Sequence, residues 1–181
     1  MPYADRLLPM ICWLRQVWAE SLGKGGHGST PVRAAGTLDQ HSQLQLYLDG
    51  PRDKLFTFFA LKKCHPERSE GSHAAGDPSA FGLRMTAPFL QQDPSLRYMY
   101  GRTLEDIIEA SERATRETVV KNGRPVRSIT LDRLDEKTLG ALAAHFMLET
   151  VIAARMLNVN PFDQPAVEEG KALTRKYLQE R

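Results

Sequence analysis

Two short apolar segments, each preceded by a helical stretch, constrain this chain more than any other feature. Lys54 to Leu61 is dense in phenylalanine and leucine and reads as a buried strand, and Val126 to Leu131 alternates as a second. Helices alternating with short buried strands predict an α/β fold with a parallel sheet. Two clear strands are too few for a self-sufficient sheet of that kind, so part of the fold is expected to be missing or unrecognised.

The helices follow from period and punctuation. Leu7, Leu8, Ile11, Leu14, Val17 and Trp18 recur at helical spacing, which predicts an amphipathic helix from about Ala4 to Leu22, ended by Gly23. A second helix is expected to start with Asp39 near its N-cap and to stop at Gly50-Pro51. Thr103-Leu104-Glu105-Asp106 gives a capping-box start to a helix reaching Lys121, with Asn122-Gly123 as a turn. Thr138 to Leu157 is long and largely apolar, hence expected to be buried. Asn160-Pro161-Phe162-Asp163 breaks it before a last helix from Gln164 to Leu178.

The stretch from about 62 to 94 differs from the rest. It is rich in Ser, Gly, Pro, Ala and charge and has no sustained period, so it reads as an insertion or a disordered loop. Within it, 64–72 resembles a translated repeat element more than a binding loop.

Composition narrows the function. A 181-residue chain with 24 basic and 22 acidic residues carries a formal charge of only +2, so no basic stripe is offered to nucleic acid or to an anionic membrane. Cys12 and Cys64 are far apart and without metal-ligand spacing, which suits a reducing cytoplasm. The apolar run Leu7 to Leu14 is short and followed by Arg15, so neither a signal peptide nor a membrane span is read there. His27, His65, His73 and His145 form no metal set, and His145 reads as a core histidine. No metal and no cofactor are expected. The loop Gly23 to Gly28 lacks the P-loop pattern and reads as a flexible connection, not a nucleotide cradle.

Three stretches carry a resemblance. They are Gln16-Val17-Trp18-Ala19-Glu20-Ser21-Leu22-Gly23-Lys24, then Gly36-Thr37-Leu38-Asp39-Gln40-His41-Ser42-Gln43-Leu44-Gln45-Leu46, then Asn160-Pro161-Phe162-Asp163-Gln164-Pro165-Ala166-Val167-Glu168-Glu169-Gly170-Lys171. With the helix around His145-Phe146-Met147-Leu148-Glu149-Thr150, they resemble the C-terminal portion of the glucose-6-phosphate isomerase family, of the bacterial type. The fold implied is part of a doubly wound, three-layer sugar-isomerase domain with a parallel sheet, incomplete at its N-terminus. On that resemblance, residues 1–181 are the second such domain plus C-terminal helices, interrupted at about 62–94.

The chemistry implied is interconversion of glucose 6-phosphate and fructose 6-phosphate through ring opening and an enediol. It needs a base beside the carbon acid, and a carboxylate with a tuned pKa can serve. Glu20 matches the family's catalytic base, although a lone helix glutamate is ordinarily only solvated. His41 matches the ring-opening histidine, a proton carrier suited to neutral pH. Lys171 matches the lysine that assists ring opening and holds substrate, where a single helical lysine would otherwise read as solvated. Gln16 and Gln164 match substrate-binding glutamines.

The resemblance also implies what is absent. The family is much longer, and this chain begins partway into its second domain. It lacks the Ser/Thr-rich loop for the substrate phosphate and the arginine that steadies the enediolate, and losing one such donor costs about 10²–10³ in rate. The family is a homodimer in which the histidine reaches into the partner's site, so His41 is expected to serve a second subunit. A reading of another class stays open: a catalytically silent sugar-phosphate-binding or interaction remnant.

Overall fold

The computed structural model describes residues 1–62 and 84–180. The chain divides into two compact units, Met1–Leu8 with Ala34–Leu134, and Pro9–Arg33 with Asp135–Arg181.

In the first unit, strand β1 (Phe56–Leu61) pairs in parallel with strand β2 (Val126–Leu131), Phe56 opposite Val126 and Leu61 opposite Leu131. The chain's first residues run along the other edge of β1. Phe59 N–H donates to the Met1 carbonyl at 3.1 Å and Tyr3 N–H to the Phe59 carbonyl at 3.0 Å. The Met1 amino group donates to the Thr57 carbonyl at 2.6 Å. This third, very short parallel rung has no periodic pattern of its own, which is why the sequence does not announce it. Phe58 and Phe59 point to opposite sides of the sheet, as successive strand residues do, and both are 1% exposed. Tyr3 stacks on Phe58, and Tyr47 meets Phe56 edge-on at 5.0 Å between ring centres.

Helix α2 (Gly36–Asp49) begins three residues before Asp39, the expected N-cap. Ala35 holds the cap position, and the Asp39 carboxylate reaches back from the first turn to accept the Ala35 N–H. The acidic start signal is therefore satisfied from inside the helix. Gly36 is required by contact: a Cβ there would lie 2.7 Å from both the Pro2 carbonyl oxygen and the Tyr3 ring.

Between 84 and 103 the chain folds on itself. Arg84 bridges Thr103 antiparallel, and Gly101 N–H returns a hydrogen bond to the Met85 carbonyl at 2.8 Å. A short helix, α3 (Pro88–Gln92), buries Leu90. The later part of the expected insertion thus carries regular structure, while 63–83, with Cys64, His65 and His73, lie outside the described residues. Helix α4 (Leu104–Lys121) opens on the anticipated box. Thr103 Oγ1 accepts from Asp106 N–H at 3.1 Å and Asp106 Oδ2 from Thr103 N–H at 2.8 Å.

The second unit is built on helix α1 (Leu8–Leu22) and helix α5 (Glu136–Met156), followed by a 3-10 turn at Pro165–Val167 and helix α6 (Glu168–Gln179). Asp135 caps α5 by accepting the Thr138 N–H at 2.8 Å. The expectation that α5 is buried holds for one stripe only. Leu142, Phe146, Thr150 and Ala154, four residues apart, are buried, whereas Leu148, Ile152 and Met156 on the opposite side are exposed. His145, read as a core histidine, is exposed and faces Glu149 at 3.4 Å across one turn. A helix apolar on all sides is one made for burial, so apolar composition alone could not tell which side is covered here. Among the described residues α5 is also the one helix with the length and composition to cross a bilayer, a test that soluble core helices pass equally.

Candidate active site

Glu20 lies in the last turn of α1 and is half-buried. Both of its carboxylate oxygens are engaged. Gln16, one turn earlier on the same helix, donates through Nε2 to Oε1 at 2.9 Å. Gln164, from beyond the end of α5, donates through Nε2 to Oε2 at 2.9 Å. Two residues 144 positions apart in sequence are thereby joined at one carboxylate. Each amide occupies one lone pair, and a carboxylate has about four acceptor sites. Glu20 is therefore oriented and still able to take a proton.

Gln164 owes its place to the turn before it. At the end of α5, Asn158 adopts φ 55°, the left-handed conformation asparagine tolerates, and Val159 N–H closes back on the Ala154 carbonyl at 2.9 Å. In the turn itself, Asn160 Nδ2 donates to Asp163 Oδ2 at 2.9 Å, and Phe162 N–H donates to Asn160 Oδ1 at 3.1 Å. Lys24, just past the end of α1, forms an ion pair with Asp163 at 3.0 Å and also donates to the Asn160 carbonyl. Hydrogen bonds from Lys24 and Asn160 hold the Asp163 carboxyl below the usual carboxylate range. The glycine loop beginning at Gly23, expected to be a free connection, is thus anchored at Lys24.

Of the five residues singled out from sequence, the second unit gathers Glu20, Gln16 and Gln164. Lys171 sits in the first turn of α6, exposed, with its ammonium on Glu168 at 2.6 Å. His41 belongs to the first unit, exposed in the second turn of α2. Sequence reasoning misses Lys24, Asn160 and Asp163, although all three lie within the quoted motifs. A lysine and an aspartate at the flanks of two distant motifs is the available signal.

A cavity of about 320 Å³ runs beside α1, lined by Trp18, Leu22, Gly28, Ser29, Ala153, Met156 and Leu157. Trp18 and Leu22 flank Glu20 two positions away on either side, so the cavity opens on the opposite side of α1 from the carboxylate. It has no ionisable lining and does not form part of the carboxylate site. Among the described residues no three His, Cys, Asp or Glu side chains stand together as metal ligands.

Comparison with known proteins shows the family of the chain. The family described as phosphoglucose isomerase matches residues 1–181. The chain is 39% identical over 174 residues to the glucose-6-phosphate isomerase of Rubrobacter xylanophilus, covering 96% of this chain and 37% of that protein. It is 37% identical over 183 residues to the probable glucose-6-phosphate isomerase of Methanococcus maripaludis, covering 98% of this chain and 36% of that one. A crystal structure of a hypothetical protein from Thermus thermophilus matches with a TM-score of 0.81 at 32% identity, over 98% of this chain and 40% of that one. A glucose-6-phosphate isomerase from Chlamydia trachomatis matches in fold, with a TM-score of 0.68 at 18% identity, over 98% of this chain and 34% of that one. This chain belongs to the phosphoglucose isomerase family. It spans a little over a third of the length of the curated relatives it matches.

Proposed function

We propose that this chain supplies the base-bearing part of an aldose–ketose isomerase that interconverts glucose 6-phosphate and fructose 6-phosphate. Glu20 moves the proton between the two carbons that exchange the carbonyl, through an enediol. His41 and Lys171 serve ring opening, with Lys171 also holding substrate, and Gln16 and Gln164 orient the base and line its site. The observation that carries this reading is Glu20 held on both oxygens by Gln16 and Gln164. The surrounding fold is read as part of a doubly wound three-layer sugar-isomerase domain working in the cytoplasm as a homodimer, with His41 acting in the partner's site.

A second reading, a catalytically silent sugar-phosphate-binding or interaction remnant, is favoured by Lys171, which stands exposed with its ammonium paired to Glu168 at 2.6 Å. Conversion of fructose 6-phosphate to glucose 6-phosphate separates the two. The purified chain alone is expected to show little turnover beyond its Glu20→Gln counterpart. Mixed with a polypeptide carrying the remaining part of a relative, it should turn over, and Glu20→Gln should abolish that gain. No gain on mixing would favour the silent remnant.

A further inference from the structure

The contact between the exposed Gln164 and the half-buried Glu20 lies at the surface, and Gln164 follows a turn rather than a helix that would fix it. A single solvent-exposed hydrogen bond, even one to a carboxylate, does little more than balance the rotamer freedom a glutamine gives up. Something else must hold the backbone of the turn against the end of α1. The side chain of Lys24 is the candidate: only 12% of it is exposed, although lysine is ordinarily a solvated residue.

We propose that Lys24 is a positioning residue, whose ammonium clasps Asp163 and the Asn160 carbonyl so that Gln164 is delivered to Glu20. The clasp is a closed circuit. Lys24 donates to Asp163 and to the Asn160 carbonyl, the Asn160 amide donates to Asp163, and the Asn160 side-chain oxygen accepts the Phe162 N–H. Lys24 is itself fixed by its backbone, its N–H on the Leu22 carbonyl at 2.9 Å and its carbonyl accepting from His27 N–H at 2.9 Å. It also stands just past the carbonyl end of α1, where a cation is favoured. The segment that carries the base therefore carries the grip on the turn, four residues later. Gln16 needs no such device, because helix geometry alone sets it one turn from Glu20.

The inference takes its catalytic meaning from the reading of Glu20 as the base, but its test needs no activity. The side-chain amide resonances of Gln16 and Gln164 are followed by NMR while Glu20 is changed to Gln. In the native chain, Glu20→Gln should shift both amides. In a Lys24→Met chain it should shift that of Gln16 alone, and Lys24→Arg should restore the response of Gln164. Asp163→Asn, at an exposed position, is the second variant and should uncouple Gln164 in the same way. A Gln164 amide that still responds in Lys24→Met and Asp163→Asn would overturn the proposal. So would loss of both responses together, which would make Lys24 a general support of the unit.

Discussion

Arg124 reaches back 74 residues to place its Nη2 at 2.7 Å from the carbonyl oxygen of Gly50. The same nitrogen donates to the Leu48 carbonyl at 2.6 Å, so one guanidinium satisfies two carbonyls at the end of α2 while lying directly before β2. It is 6% exposed. Hydrogen bonds from a charged group at a helix carboxyl end are among the stronger single contributions to stability. Arg124 Nε and Nη1 are buried without a partner among the described residues, which subtracts from the gain. Arg124→Met is expected to lower unfolding free energy by about 2 kcal/mol. Urea unfolding should show a lower midpoint with an unchanged slope.

The buried amino group of Met1 predicts a pH dependence. Burial pushes it down from 8.0 to about 5, against a smaller upward pull from Asp39. Between those values the unfolded chain binds a proton that the folded chain does not, so stability rises with pH. This contribution is full above about pH 8, declines as pH falls towards 5, and is flat below. Its size over that window is on the order of a few kcal/mol. Unfolding measured from pH 5 to 8 should lose this slope when the N-terminus is acetylated.

The two stripes of α5 should answer differently to substitution. Phe146 is 1% exposed and Ile152 60% exposed, on opposite sides of one helix. Phe146→Ala leaves a cavity in packed surroundings and should cost about 3–5 kcal/mol. Ile152→Lys removes little buried surface and should stay within about 0.5 kcal/mol. Thermal unfolding of both variants checks the contrast, and equal losses would mean that the outer stripe is covered in solution.

The strongest local signals in the sequence are those the structure bears out. The box at Thr103 and Asp106 marks the start of α4, and the alternating run Val126 to Leu131 is β2. Both are set by neighbours a few residues away. Features set by distant contacts are not legible. The Met1–Tyr3 rung exists only because β1 lies beside it, and α2 starts at Gly36 because that glycine lets the backbone approach Tyr3. The site divides the same way. Glu20, Gln16 and Gln164 stand out through resemblance, while Lys24 looks like any loop lysine until its distant partner Asp163 is in view.

The Met1–Tyr3 rung also bears on how the protein can be handled. Its ladder with β1 begins at the amino nitrogen itself, so any residues fused ahead of Met1 enter as a continuation of that strand. An acetyl group is the smallest such extension. An affinity tag there must leave along the sheet edge and will compete with its pairing. At the other terminus α6 buries none of its residues, and a tag placed there meets no such constraint.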